Sequence, residues 1–429
     1  MKKTAFIAGE KAGSIRGKHL TIAVAACLIA TSAAAFSTFF SFFLVPVSKA
    51  LNIDRVSFSM TISIMYFTGM VSSIVWGQFM GKLGVRRVLL ICCTIVTACL
   101  VGFSLSTNII LFYLLAAIMG LGTNGGTSLS AASLVTNWFE EKRGQVMAIV
   151  MACLSIGGVI GGFMLPAFIA SNGWRMGFII TAVYFFVLTI PGGIFIVRSS
   201  PQQVGLLPFG AKQSEEARHS DEKHDSSRQG ISFKEGMRSP AFYLLFIGIM
   251  LVGFPASFIQ HLSAYGTDNG LTPETAGLLI VVSSVSGIIL AIISGVINHK
   301  KGPLKTTIIY EFVFAVAFLA FFMVRGLVPM LIACIFFSFG LAFVSTMPSI
   351  IVGTIFGPKD FSKFLGLTSP AMAIGFILGV PLWGLIYEST HSYNLVFLIC
   401  IICIILGALC ISLCLKESKR LWAKLVKIS

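Results

Sequence analysis

Twelve apolar runs, each near the roughly 20 residues that a helix needs to cross about 30 Å of hydrocarbon, constrain this chain before any single side chain is considered. They cover 20–46, 57–80, 87–106, 108–137, 145–171, 175–197, 239–265, 272–297, 304–324, 327–354, 362–387 and 393–415. With 56% hydrophobic residues, 11% charged residues and a mean hydropathy of +0.93, there is more apolar surface than a water-soluble core could hide. The reading is an all-α membrane protein. Six runs lie on each side of the only long polar stretch, Arg198 to Arg238, where mixed charges such as Glu215, Arg218, Asp221 and Lys223 lack apolar periodicity. The expected organisation is an N-terminal segment over 1–19, a six-helix bundle over 20–197, a solvated, disordered linker over 198–238, a second six-helix bundle over 239–415 and a tail over 416–429.

The two halves are copies. Gly77, Lys82, Gly84 and Arg87 recur 218 positions later as Gly295, Lys300, Gly302 and Lys305, each set between two apolar runs. An offset of about half the chain is a duplicated unit, and duplicated halves in an apolar chain are the trace of a transporter built from repeats. Two pseudosymmetric bundles of six transmembrane helices are therefore expected.

Orientation follows from Lys and Arg. With the N-terminus inside, the inner segments hold 27 basic residues, and only Lys49, Arg55, Arg175 and Arg325 lie outside. Both termini are thus read as cytoplasmic, in a plasma membrane of the bacterial inner-membrane kind. The rival reading of 1–35 as a cleaved signal peptide conflicts with an apolar run that continues to Pro46 and with the six runs that each half requires. The formal charge of +15 sits in short loops, where it orients the chain against an anionic leaflet and gives no reason to expect nucleic acid. All ten cysteines fall inside apolar runs, which argues against disulfides and metal sites. No phosphate-binding loop and no nucleophile with a base and an orienting acid is visible, so neither ATP-driven transport nor an enzyme is expected, and no cofactor is required.

At the paired loops the chain resembles the major facilitator superfamily, whose signature between the second and third helices has two glycines, an acidic residue and a basic cluster. Gly77, Gly84, Arg86 and Arg87 match; Gly81 occupies the acidic position, and His299 stands opposite it in the second copy. The resemblance implies the major facilitator fold; the loss of the acidic residue from both copies points to a gate held mainly by packing in place of the usual acid-to-base latch. Asn137-Trp138-Phe139, Lys142-Arg143-Gly144, Pro166, Gly173-Trp174-Arg175, Pro201 and Gly205-Leu206-Leu207-Pro208 resemble the monocarboxylate transporter and oxalate/formate antiporter branch, as do His261, Tyr265, Asp268 and Gly270. Members of that branch commonly carry an arginine in the eighth helix that pairs with a substrate carboxylate. Here that run offers Ser283, Ser284 and Ser286, and the fourth run has Ala116 where drug/proton antiporters carry an arginine.

Ionisable residues inside a bilayer are costly and so invite a role. Glu311 is read either as paired with Lys300 or Lys305 or as a proton carrier. His261, on a run expected to line the cavity, can carry a proton, since an imidazole titrates near about 6.5, or can be a satisfied polar residue at the external mouth. Neutral candidates for substrate contact are Ser37 with Phe40, Asn124, Gln260 with Tyr265, and Ser345 with Ser349, each weighed against simple packing or back-bonding to its own helix. Gly77, Lys82, Gly84, Arg86, Arg87, Gly295, Lys300, Gly302 and Lys305 form the gating motif. The expected function is a monomeric secondary transporter for a small organic acid or related amphipathic metabolite, proton-coupled or exchanging. The alternatives are an efflux carrier for hydrophobic compounds, suggested by 38 phenylalanines, and a membrane ligand sensor that moves nothing.

Overall fold

Away from water a backbone must satisfy its own hydrogen bonds, and these apolar runs do so as helices. The structure, a computed structural model, describes residues 17–210, 230–357 and 360–426; most of the expected N-terminal segment, the linker residues 211–229 and the last three residues of the tail fall outside them. The described parts of the linker are ordered, contrary to expectation, with a 3₁₀ turn at Pro201–Val204 and a short capped helix at Phe233–Arg238. The helices are α1 (Gly17–Leu51), α2 (Arg55–Leu83), α3 (Val85–Leu105), α4 (Ile109–Trp138), α5 (Arg143–Ile196), α6 (Pro240–Gln260), α7 (Leu262–Asp268), α8 (Pro273–Met323), α9 (Leu327–Phe356), α10 (Phe361–Thr390) and α11 (Asn394–Val426). Ten among the described residues are long and apolar enough to cross a membrane. Two of those ten, α5 and α8, are each divided by a glycine with left-handed backbone, Gly173 (φ 82°) and Gly302 (φ 78°), which yields the twelve apolar segments read from the sequence.

The duplicated loops separate into two kinds of glycine. Gly84 (φ 81°) and Gly302 (φ 78°) occupy a conformation that side chains resist, and each reverses the chain between two helices. A Cβ added at Gly77 or Gly295 would meet no atom within 4 Å, so packing in this conformation does not demand glycine there.

The duplication reaches the cores. In the first half Phe40 sits at the centre of a ring cluster with Phe43, Phe58, Phe103 and Phe178. In the second half Phe258 holds the same place among Phe318, Phe321, Phe337 and Phe397. Phe40 and Phe258, and likewise Phe103 and Phe321, are separated by the 218-residue offset of the loops. At that offset Phe43, stacked on Phe178 at 3.8 Å, corresponds to His261.

The halves meet where α5 packs on α8 and α2 on α10. Small residues permit the first contact: a Cβ on Gly162 would fall 2.9 Å from the Gly277 carbonyl oxygen, and one on Gly158 would fall 2.5 Å from Ser284 Oγ. Ser283 donates to the Leu279 carbonyl at 2.8 Å, and its own carbonyl accepts from Ser338 Oγ at 3.0 Å. The serines of the eighth run that could have replaced a carboxylate-binding arginine thus include two engaged in packing.

Candidate functional site

A polar centre arises because the first helix of each half is broken. α1 is interrupted at Ala33 and at Thr38–Phe39, and the Ser41 amide bonds the Thr38 carbonyl, so the Ser37 carbonyl is left without its helical donor. Pro255 precedes a 3₁₀ turn, Ser257–Gln260, that ends α6 just before α7. From that turn Gln260 donates through Nε2 to the Ser37 carbonyl of the other half. Gln260 is 1% exposed, and its Oε1 is buried without a hydrogen bond. The Tyr66 side chain of α2 lies beside Gln260, with its ring 5.5 Å from that of Phe376 on α10. Ser37 and Gln260, chosen separately from the sequence, therefore meet, and Tyr66, which sequence reasoning missed, joins them. Four helical segments converge there, and the groups that meet, the Ser37 carbonyl, Gln260, Tyr66 and Phe376, are neutral.

One end of the molecule is closed by charged groups. Arg55, at the start of α2, makes two parallel bonds to Asp268 at the end of α7, 2.6 Å from Nη1 and 2.8 Å from Nη2. Its guanidinium lies 3.9 Å over the Tyr387 ring, its backbone N–H donates to Glu388 Oε1 at 2.8 Å, and Nη1 donates to the Tyr393 hydroxyl at 3.1 Å. Ser59 and Ser63 follow at four-residue spacing on the same face of α2. Ser59 Oγ lies 3.3 Å from His261 Nε2, and Ser63 donates to the Ile377 carbonyl of α10 at 2.7 Å. His261 is fully buried, with Nε2 2.9 Å from the Val380 carbonyl and Nδ1 3.1 Å from the Tyr393 hydroxyl. The sequence counted Arg55 only as one of four outer basic residues. Its signal was the Arg55, Ser59, Ser63 stripe, which places three polar groups on one helix face.

The other candidates for substrate contact have local partners. Asn124 donates to the Gly69 carbonyl at 2.8 Å and stitches α4 to α2. Phe40 is enclosed by the rings described above and 0% exposed. Tyr265 donates to the Phe321 carbonyl at 2.6 Å inside the second ring cluster. Ser345 and Ser349 are exposed on α9 and bond their own helix at Ala342 and Thr346. Glu311 is 2% exposed, and neither carboxyl oxygen has a hydrogen-bond partner, so the expected pairing with Lys300 or Lys305 is not made in this conformation.

The basic-loop end is organised within the first half. Arg86 donates to the Gly193 carbonyl through Nε at 3.1 Å and to the Ile194 carbonyl through Nη2 at 2.6 Å, tying the start of α3 to the widened last turn of α5. Asn137 donates to the Ser199 carbonyl and Trp138 to the Arg198 carbonyl, while the Phe139 strip bridges Phe209. The branch-like motifs after the fourth and sixth runs are thus parts of one packed cap. Lys82, Arg87, Lys300 and Lys305 project as exposed residues. The acid-to-base contact absent from these loops has a counterpart at the opposite end, where Arg55 and Asp268 join the halves.

Two six-helix bundles that enclose a neutral polar centre and are clasped at one end define a multi-pass membrane carrier. The chain matches the family model described as Major Facilitator Superfamily over residues 25–352 and 264–424, and it belongs to that family of transporters. It is 22% identical to an MFS-type transporter of Bacillus subtilis (strain 168), YcxA, over 87% of this chain and 89% of that protein. It is 24% identical to monocarboxylate transporter 4 of Gallus gallus over 84% of this chain and 74% of that one. The solved structure of a D-xylose-proton symporter superposes with a TM-score of 0.70 at 14% identity, covering 92% of this chain and 96% of that one, which supports the fold.

Proposed function

We propose that this protein is a secondary transporter that moves a small organic acid or related amphipathic metabolite by alternating access, driven by a proton or by exchange. The bundles span 20–197 and 239–415, the termini and basic loops are cytoplasmic, and the Arg55 end faces outward across a bacterial inner membrane. The chain works as a monomer. The observation that carries this reading is the Gln260–Ser37 contact between halves, with Tyr66 beside it, just inside the Arg55–Asp268 closure. A site made by both halves and sealed from one side is what a rocking carrier requires. Similarity to monocarboxylate transporter 4 supports the acid class. The test is uptake by proteoliposomes of a carboxylate panel with and without a pH gradient and with acid preloaded inside; indifference to every acid under all these conditions sinks the reading.

The efflux alternative has one structural observation in its favour. An apolar crevice of about 240 Å³ opens between the halves beside the closed end, lined by Phe42, Val45, Pro46, Ile169 and Trp174 among others. Hydrophobic dyes that leave loaded vesicles at rates unaffected by the protein would remove it.

A further inference from the structure

Resting on the alternating-access reading, we propose that His261 couples proton binding to opening of the Arg55 end: the ring is neutral while that end is shut and protonated when it is open. The hydrogen-bond directions are fixed by chemistry. The Val380 carbonyl can only accept, so Nε2, 2.9 Å away, carries the hydrogen. Nδ1 then holds the lone pair and accepts from the Tyr393 hydroxyl at 3.1 Å, while the Tyr393 oxygen accepts from Arg55 Nη1 at 3.1 Å. A single directed chain therefore runs from Arg55 in the first half to the Val380 carbonyl in the second.

A second proton on the ring breaks that order. Nδ1–H would face an oxygen that already accepts from Arg55, the Tyr393 hydrogen would lose its acceptor, and an imidazolium would stand one hydroxyl away from a guanidinium. Among the described residues no carboxylate is a hydrogen-bond or ion-pair partner of the ring: Asp268 on α7 pairs with the Arg55 side chain, and Glu388 on α10 accepts the Arg55 backbone N–H. Tyr265, Tyr387 and Tyr393 supply hydroxyls, and His391 lies on the exposed turn that follows α10. Ser59 offers a hydroxyl at 3.3 Å. The ring is 0% exposed, so water does not compensate either.

The duplication indicates that packing alone does not explain the imidazole. Its counterpart is Phe43, an apolar ring stacked on Phe178. The position also lies next to the centre, because His261 follows Gln260 directly at the end of the 3₁₀ turn. A substrate that displaces Gln260 from the Ser37 carbonyl moves the ring with it. Proton uptake and the Gln260 contact are thereby joined through one short segment.

The experiment uses spin labels at Lys49→Cys and Ser389→Cys, exposed residues of opposite halves at this end, with the partly buried Cys27, Cys403 and Cys410 replaced by serine. An ordinary imidazole goes from roughly one-tenth to nine-tenths protonated between pH 7.5 and pH 5.5. The long-distance, open population is expected to rise several-fold over that interval in the parent protein and to stay constant in His261→Gln. Should His261→Gln fail to fold, His261→Phe serves, since it places at 261 the apolar ring that the first half carries as Phe43 and cannot bind a proton. A parent protein indifferent to pH, or an undiminished response in the folded His261 variant, overturns the proposal. A latch that responds to pH in a protein that transports no acid would overturn the transport reading and leave the latch standing.

Discussion

Arg55 and Asp268 stand 213 residues apart in the chain and face each other through two parallel hydrogen bonds that join the halves at one end. Their side chains are only 11% and 22% exposed, so solvent screens the pair less than a surface ion pair. Charge-assisted hydrogen bonds contribute about 1.5–3 kcal/mol, and partial exposure places this pair near the lower limit. Asp268→Asn is expected to favour the form open at that end and to lower thermal stability. The exchanged pair, Arg55→Asp with Asp268→Arg, should recover part of the loss. A thermodynamic cycle over the single and double variants checks this, and additive effects would show that the two residues do not interact in the folded protein.

The glycines of the interface and of the loops should separate cleanly. Gly162→Ala sets a methyl group against the Gly277 backbone, which cannot rotate away, and overpacking of this kind costs about 1–3 kcal/mol. Gly84→Ala forces a side chain into a φ of 81° and costs about 1–2 kcal/mol. Gly77→Ala, with open space around the added carbon, should leave the melting temperature unchanged. Equal melting temperatures for all three would show that the close approach of α5 and α8 is misjudged.

Arg86 and Arg87 adjoin in the same basic motif and should behave differently. Arg86→Ala releases two carbonyls at the end of α5, a loss of about 1–2 kcal/mol for partly exposed bonds. Arg87 is exposed, and Arg87→Ala should stay within about 0.5 kcal/mol. Unfolding in detergent followed by tryptophan fluorescence distinguishes them. Loss of transport in Arg86→Ala at full stability would return the motif to a gating role.

What the sequence disclosed and what it hid divide along a physical line. Apolar length, left-handed glycines and basic loops are local or periodic, and from them the twelve segments, the turn at Gly302 and the duplication were legible. The Phe40–Phe258 and Phe103–Phe321 pairs obey the same offset, yet phenylalanine is so abundant here that the repeat is lost in the background until the ring clusters are seen. Ser37 and Gln260 were found because polar groups in an apolar run stand out, whereas their contact depends on a carbonyl freed by the break after Ser37. Tyr66 and Tyr393 escaped because a tyrosine near the end or middle of a membrane helix is ordinary. The Arg55 closure was hidden for another reason: its partners lie on α7, on α10 and just before α11, and no local pattern records a contact across 213 residues or more.

The centre offers the most direct test of function. Tyr66→Phe removes one hydroxyl beside Gln260 and keeps the ring against Phe376, so the fold should persist. Gln260→Leu keeps the bulk and abolishes the bond to the Ser37 carbonyl, which leaves a carbonyl already freed by the broken helix without its donor. An unsatisfied buried group of this kind costs about 1–3 kcal/mol, and the loss falls on the form closed at the Arg55 end, where the halves touch. Gln260→Leu should therefore populate the open form and weaken transport strongly, while Tyr66→Phe should raise the KM for the transported substrate with little change in maximal rate. If both variants alter only the maximal rate and leave the KM untouched, the Tyr66–Gln260 centre acts in closure alone, and the substrate must be sought on another surface between the bundles.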